Sequence, residues 1–442
     1  MPKLERDGIS ANEVKLKRDL GLFEVVMYGI GIILGAGIYA LLGKAAGVAG
    51  PALWMSFAVG AVIAAITGLS YAELGAMYPK ESAEYLYSKK AFRSTRLSFV
   101  LGWLLIFLGS IGAATVALGF GGYLFSLTGI PIIASALGLI AVLTALNFWG
   151  IKESSKANII FTIIELAGLL IIIAIGMTHL QPVEYYTFMP NGFSGIFLGA
   201  ILIFFAYLGF ENIGIIAEEM KNPRKNLPRA LLIAILVTSL IYVLVSIAAV
   251  SIVPWDVLGA STAPLADVAR NAFPGGYTIM AAIALFATAN TVLILLISAS
   301  RITWGMANQR CLPKKLSKVH TKRRTPWVTI LITGALAAAF VFMGNIKTVA
   351  EITDFGAFLV FFCMNVAVIV LRYNRPKDVR PFKVPFTIGR FPILPALGAV
   401  FCLGMLFFFA TDVIMVSVAI IVAGLFIYQI LRMKGVADDC VD

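Results

Sequence analysis

Charge is scarce in this sequence. Asp, Glu, Lys and Arg make up only 13% of its 442 residues, against 60% hydrophobic ones, where a soluble domain carries roughly 25% charge. Uncharged stretches of about 20 residues recur throughout, which excludes an ordinary soluble domain and points to a polytopic membrane protein. Histidine is scarcer still. The 2 histidines, His179 and His320, fall in loops expected on opposite sides, so a two-histidine metal centre or proton relay is excluded. No HExxH, P-loop or Ser-His-Asp arrangement occurs in usable context, and an enzyme is not expected. The 4 cysteines, Cys311, Cys363, Cys402 and Cys440, show no paired spacing and are expected as free thiols. No apolar leader precedes the first hydrophobic run, so no cleavable signal peptide is expected.

What is abundant is apolar length. Twelve segments are long enough to cross about 30 Å of hydrocarbon: 22–46, 52–78, 97–125, 131–150, 157–177, 193–219, 228–253, 276–304, 326–344, 350–371, 391–410 and 413–431. The basic residues test this count. With the N-terminus cytoplasmic, only Lys44, Arg270 and Lys347 of the 35 Lys and Arg fall outside, as the positive-inside rule requires. The formal net charge of +12 is thus a matter of topology and of loops near anionic lipid, not of nucleic acid. Segment 78–96 is too amphipathic for a span and is expected as an interfacial helix; segment 254–275, with Pro254 and Pro264, is expected to form short extracellular helices.

The first apolar run contains GIGIILGAGIYALLG, Gly29 to Gly43, with five glycines in fifteen residues. A dinucleotide loop is excluded by spacing and context. Two readings stay open: a GxxxG packing face, or a discontinuous helix whose freed backbone meets a cargo. The second requires a matching break in a second repeat. The sixth apolar run supplies one, GFSGIFLGAILIFFAYLGFENIGIIAEEM, with Gly209 beside a central charge, Glu211. A carboxylate there must face the protein interior, a cavity or a break. Spans 1 and 6 stand five apart, which matches a five-plus-five inverted repeat with two helices appended.

These residues resemble the amino acid, polyamine and organocation transporter superfamily, and within it the amino acid permeases. The resemblance rests on GAGIYALLG, on YAELGAMYPKESAEYLYSKKAF after span 2 and on FFAYLGFENIGIIAEEMKNPRKNLPRAL in and after span 6. SRITWGMANQRCLP ending span 8 and LRYNRPKDVRPFKVPF before span 11 complete it. It implies an all-α membrane protein with the fold of the sodium-symporter type of leucine transporter, with helices 1 and 6 broken. The division expected is a cytoplasmic segment 1–21, a first repeat 22–177, an extracellular loop 178–192, a second repeat 193–373, a cytoplasmic loop 374–390, helices 11 and 12 over 391–434 and a cytoplasmic tail 435–442.

The function implied is secondary-active amino acid transport across the cytoplasmic membrane by alternating access, with no cofactor and with both termini cytoplasmic. An exchanger or a polyamine or other organocation carrier of the same fold is the alternative, and a channel is disfavoured because ionisable residues sit at single points. Oligomeric state is not legible. A zwitterion needs positive potential for its carboxylate and negative potential for its amine, which half-helix ends supply from free N–H groups and carbonyls. By resemblance the carboxylate meets the backbone around Ile33, Gly35, Ala36 and Gly37, and the amine meets carbonyls around Phe205, Ala206, Tyr207 and Leu208. The family often has Ser or Thr where Ala36 stands, so backbone alone must serve here.

Two acids are expected to couple transport to an ion, a proton or alternatively sodium. Glu165 lies about seven residues, or about 10 Å, into span 5, where a carboxylate is a functional candidate by its cost. Many sodium-independent relatives carry Lys at this position, so lysine-based coupling does not transfer. The bland reading is a carboxyl satisfied by a neighbouring helix. Glu211 resembles a common family acid and either carries a proton or braces the broken helix. Tyr207 is a gate or plain packing, and Thr288, Asn290, Thr291, Ser298 and Ser300 give span 8 a polar side. Glu73, with Glu218 and Glu219, is expected in ion pairs on the cytoplasmic side.

Overall fold

The computed structural model describes residues 20–79, 83–149, 155–178 and 190–434. It is nearly all helix, in keeping with the long uncharged runs: lipid cannot satisfy a backbone N–H or C=O, so the chain must do so within each segment. In chain order the helices are α1 (Leu22–Leu34), α2 (Gly37–Ala49), α3 (Leu53–Met77), α4 (Ala83–Phe92), α5 (Thr95–Thr128), α6 (Ile132–Trp149), α7 (Ser155–Thr178) and α8 (Ser194–Phe204). They continue with α9 (Pro223–Ile252), α10 (Trp255–Ala260), α11 (Pro264–Ala272), α12 (Gly276–Asn308), α13 (Trp327–Val341), α14 (Ile346–Asn374), α15 (Ile393–Met405) and α16 (Thr411–Met433).

Nine helical runs among the described residues are long and apolar enough to cross a membrane, counting Gly37–Met77 as one; Leu22–Leu34, Trp327–Val341 and Ile393–Phe408 are shorter apolar helices. The molecule is a multi-pass membrane protein. Within the amphipathic segment 78–96 the chain forms α4, and the proline-punctuated stretch after α9 forms α10 and α11. The loop before α15 carries a two-stranded antiparallel hairpin, Thr387–Ile388 with Phe391–Pro392, a strand element absent from the sequence reading. His179, Glu218, Glu219 and Cys440 lie outside the residues or side chains described.

Inside the bundle α5 packs along α12, α3 along α9, and α1 against α7 and α9. Small residues set these approaches: a Cβ on Gly109 would meet Ala299 Cβ at 2.9 Å, and one on Gly31 would collide with Thr162 of α7. An aromatic layer fills the centre. Phe204 stacks on Phe358 of α14 with centroids 4.4 Å apart, and Phe210 lies 5.1 Å from Phe361. The region around residues 204–210 is therefore clamped to α14 by ring contacts, each worth about 0.5–1.5 kcal/mol beyond its buried area.

Candidate functional site

Both glycine-rich runs are interrupted where the sequence places the breaks. α1 stops at Leu34 because Gly35 leaves helical geometry, with φ 13° and ψ −157°, and α2 restarts after Ala36. The Ala36 N–H donates to Thr291 Oγ1 of α12 at 3.0 Å. Close approach explains Gly37: a Cβ there would sit 2.5 Å from Ala206 Cα. Gly31 thus packs tightly on α7, and the helix is interrupted at Gly35 and Ala36.

α8 ends at Phe204, and one 3-10 turn, Phe205–Tyr207, follows. Leu208 is extended with ψ 147°, and Gly209 takes φ 119°, a conformation few residues other than glycine adopt. The chain resumes as a 3-10 helix over Phe210–Glu219. Glu211 supports this restart, accepting the Gly209 N–H at 2.9 Å and the Asn212 side-chain amide at 3.0 Å.

One side chain joins the two breaks. Tyr242, buried in α9, directs its hydroxyl at the carbonyl of Ile33, 2.5 Å away, and at that of Ala206, 2.9 Å away. One hydroxyl proton serves two carbonyls, so Tyr242 holds the C-terminal end of α1 against the turn after α8. A cavity of about 930 Å³ has both breaks in its wall. Ile33, Gly35, Ala36 and Gly37 line it from the first, and Phe205, Leu208, Gly209 and Glu211 from the second. Ala206 and Tyr207 are not among its lining residues. From the breaks the cavity passes between α5 and α12 to Arg301, Gln309 and Arg324, all exposed.

The acids fall into three settings. Glu165 lies outside the cavity wall and is buried, and neither carboxylate oxygen has a hydrogen-bond partner among the described residues. Asn290 is its polar neighbour, and its backbone carbonyl accepts the Tyr39 hydroxyl at 2.7 Å. Glu211 faces the cavity, where Glu84 of α4 joins it. Burial, then the charge of Glu211, push the Glu84 carboxyl up to about 7, and Tyr71 reaches toward it at 3.4 Å. Glu73 is the satisfied case: Arg372 Nε donates to it at 3.0 Å, the Val384 N–H at 2.8 Å, and Arg380 lies 3.3 Å away. That arrangement ties α3, α14 and the hairpin loop, the ion pairing expected of Glu73.

The polar side of α12 divides. The Thr288 and Ser300 hydroxyls bond to carbonyls within their own helix, and Ser298 lines the cavity. Thr291 differs in that its hydroxyl also accepts the Ala36 N–H. The Tyr207 hydroxyl donates to the Phe57 carbonyl at 2.8 Å and its ring meets Tyr242 edge-on. Cys363 and Cys402 are free, as expected. No group of three or more His, Cys, Asp or Glu able to hold a metal occurs among the described residues.

Sequence reasoning missed Tyr242, one of several hydroxyl-bearing residues in the apolar run of α9, and gave Glu84 no role although it stands in a quoted motif. It also passed over Glu351 and Asp354, acids inside span 10 whose signal was their cost in lipid.

Comparison with known proteins bears on what this arrangement serves. The family model for amino acid permeases matches residues 20–431. The branched-chain amino acid permease BcaP of Bacillus subtilis is 32% identical, covering 96% of this chain and 95% of its own length. The methylthioribose transporter of the same organism is 31% identical, over 91% of each chain. The vacuolar cationic amino acid transporter 4 of Arabidopsis thaliana is 30% identical over 83% of this chain and 65% of its own. With the match running from before the first break to the last helix, and with relatives that are transporters rather than enzymes, the chain belongs to the amino acid permease family.

Proposed function

We propose that the protein is a secondary-active amino acid transporter of the cytoplasmic membrane, working by alternating access with a proton as coupling ion. The observation that carries this reading is the meeting of two interrupted helices at one cavity, held together by the shared hydroxyl of Tyr242. The first turn of α2 has backbone N–H groups with no acceptor inside the helix, which suits a carboxylate. The turn after α8 offers carbonyls, which suit an ammonium. Around the breaks the wall is apolar, with Ile33, Phe205, Leu208, Ile294 and Leu295, so the cargo is a neutral amino acid with an apolar side chain. The naming of one relative as a branched-chain permease supports the same choice.

In this reading the chain crosses the membrane twelve times, as inverted repeats 22–177 and 193–373 followed by helices 11 and 12, with both termini cytoplasmic. The cavity mouth at Arg301 and Arg324 lies on the side of the basic loops, so this conformation faces the cytoplasm. Glu165 and Glu211 carry the coupling proton in different settings, one behind the first break and one in the cavity wall. An unpartnered buried carboxyl must be neutralised, which supports a proton at Glu165.

Leucine uptake by the full chain in liposomes, under separate proton and sodium gradients, tests the reading with Glu165→Gln beside wild type. Proton-driven accumulation in wild type and its loss in the variant are expected. Full accumulation in the variant removes Glu165 from coupling. A loss confined to sodium-driven uptake makes it a cation ligand. Leucine counterflow with no response to either gradient makes the protein an exchanger.

A further inference from the structure

Asp354, two turns into α14, has no exposed surface, and both its carboxylate oxygens lack a hydrogen-bond partner among the described residues. It is separate from Glu165 and Glu211 and lies against the second break. The backbone N–H of Phe205 faces its carboxyl without reaching hydrogen-bond geometry. Its neighbours on α14, Thr353 and Ala357, line the cavity, while Asp354 itself does not.

The charged surroundings are sparse. On α14 itself, Glu351 is the charge that acts on Asp354. Glu351 lies 3.8 Å from Lys347 and within electrostatic reach of Asp412, exposed at the start of α16. α2 brings Lys44, whose ammonium donates to the Gly259 carbonyl, and Tyr39, whose hydroxyl donates to the backbone carbonyl of Glu165. α5 brings Tyr123, bonded to the Tyr39 carbonyl, and Arg96, at the far end of the helix. α8 carries no ionisable group, and the turn after it only Tyr207, bonded to Phe57. α15 brings Cys402, beside Thr67. Glu73 and Glu84, from α3 and α4, lie toward the other end of α14, where Arg372 is paired. Nothing basic offsets Asp354.

A carboxylate so placed is not tolerated as an ion. A proton on one oxygen removes that cost. The side of the breaks that faces Asp412 is closed, since the cavity leads the other way, to Arg301 and Arg324. When a transporter opens toward the Asp412 side, water reaches the groups packed behind the second break, and a hydrated carboxyl gives its proton to water. Opening and protonation are then linked, each shifting the other by the same free energy.

We infer that Asp354 is a proton-loading site of the transport cycle, filled as the Asp412 side closes over it and emptied as that side opens, with Glu351 and Asp412 leading to the surface. This rests on the transport reading above. It adds a site that changes its surroundings between the two states, whereas Glu73 stays braced by Arg372 and Arg380.

The test uses the full chain in liposomes with radiolabelled leucine. For one-proton coupling, a gradient of about one pH unit sustains about tenfold accumulation. Asp354→Asn is expected to abolish that accumulation while keeping leucine counterflow at equal pH, and Asp354→Glu to keep both. Asn-variant accumulation equal to wild type, with an unchanged pH profile, overturns the site. Loss of counterflow in both variants makes Asp354 a packing residue and equally overturns it. If wild type itself shows no leucine counterflow, the transport reading fails, and a second measurement decides the site alone. The detergent-solubilised protein should lose thermal stability more steeply with rising pH than Asp354→Asn, and equal slopes overturn the inference.

Discussion

The two helix breaks do the same job by different means. At the first, Gly35 and Ala36 leave the helix with no charge nearby, and a neutral hydroxyl, that of Thr291, accepts the Ala36 N–H. At the second, Gly209 stands at φ 119° and its N–H is taken by a carboxylate, Glu211. A hydroxyl cap is indifferent to pH, whereas a carboxylate loses acceptor capacity on protonation. The second break is thus the one a proton can loosen, and it is also the one clamped to α14 beside Asp354. The first break is held by neutral groups; the second carries the group that can respond.

The largest effect expected from this difference is at Gly209. Alanine there meets both an unfavourable φ and a collision with the Ile32 side chain, costing about 3 kcal/mol or more. Gly389→Ala, at φ 60° with open space around it, is the control and should cost about 1 kcal/mol. Thermal unfolding in detergent compares them; similar losses at the two sites would mean that the second break is not a tightly specified point. Next in size is the link between the breaks. Tyr242→Phe removes a single oxygen and leaves the Ile33 and Ala206 carbonyls without their shared donor, a loss of about 1–3 kcal/mol. It should also raise the KM for leucine, because both half-helix ends are then less well placed. A variant with unaltered stability and KM would show that the breaks are held independently.

Much of this was legible in the residues. Five glycines in fifteen announced the first break, and Glu211 beside Gly209 announced the second, because each is costly in a plain membrane helix. Their joint exposure to one cavity was a fair expectation once the two were paired. What was not legible depends on rotation about helix axes. Tyr242 is one of several polar residues in α9, and only the facing of that helix brings its hydroxyl between two carbonyls. The Ala206 carbonyl, placed near the amine by resemblance, also accepts the Tyr242 hydroxyl. Asp354 and Glu351 are a different kind of miss. Their position within an apolar run was visible, and the cost rule that singled out Glu165 applied equally to them. The Thr387–Pro392 hairpin escaped because two-residue strands leave no periodicity to read.

The smallest expected effect sharpens the contrast in a readout that only the second break should show. Glu84 approaches that break from α4, and burial, followed by the charge of Glu211, push its carboxyl up to about 7 from an ordinary 4.5. The folded protein therefore binds this proton more tightly than the unfolded chain does. The stability it contributes is complete below about pH 4.5 and is lost as pH rises toward about 7, where the ionised Glu84 is left beside the charge of Glu211. Glu84→Gln removes this contribution to the slope. The wild-type unfolding midpoint should fall across that window more than the variant's, while Thr291→Val, which damages the neutral cap of the first break, should lower the midpoint by the same amount at every pH. A pH-dependent loss in the Thr291 variant, or equal slopes for Glu84→Gln and wild type, would remove the distinction between a fixed break and a titratable one.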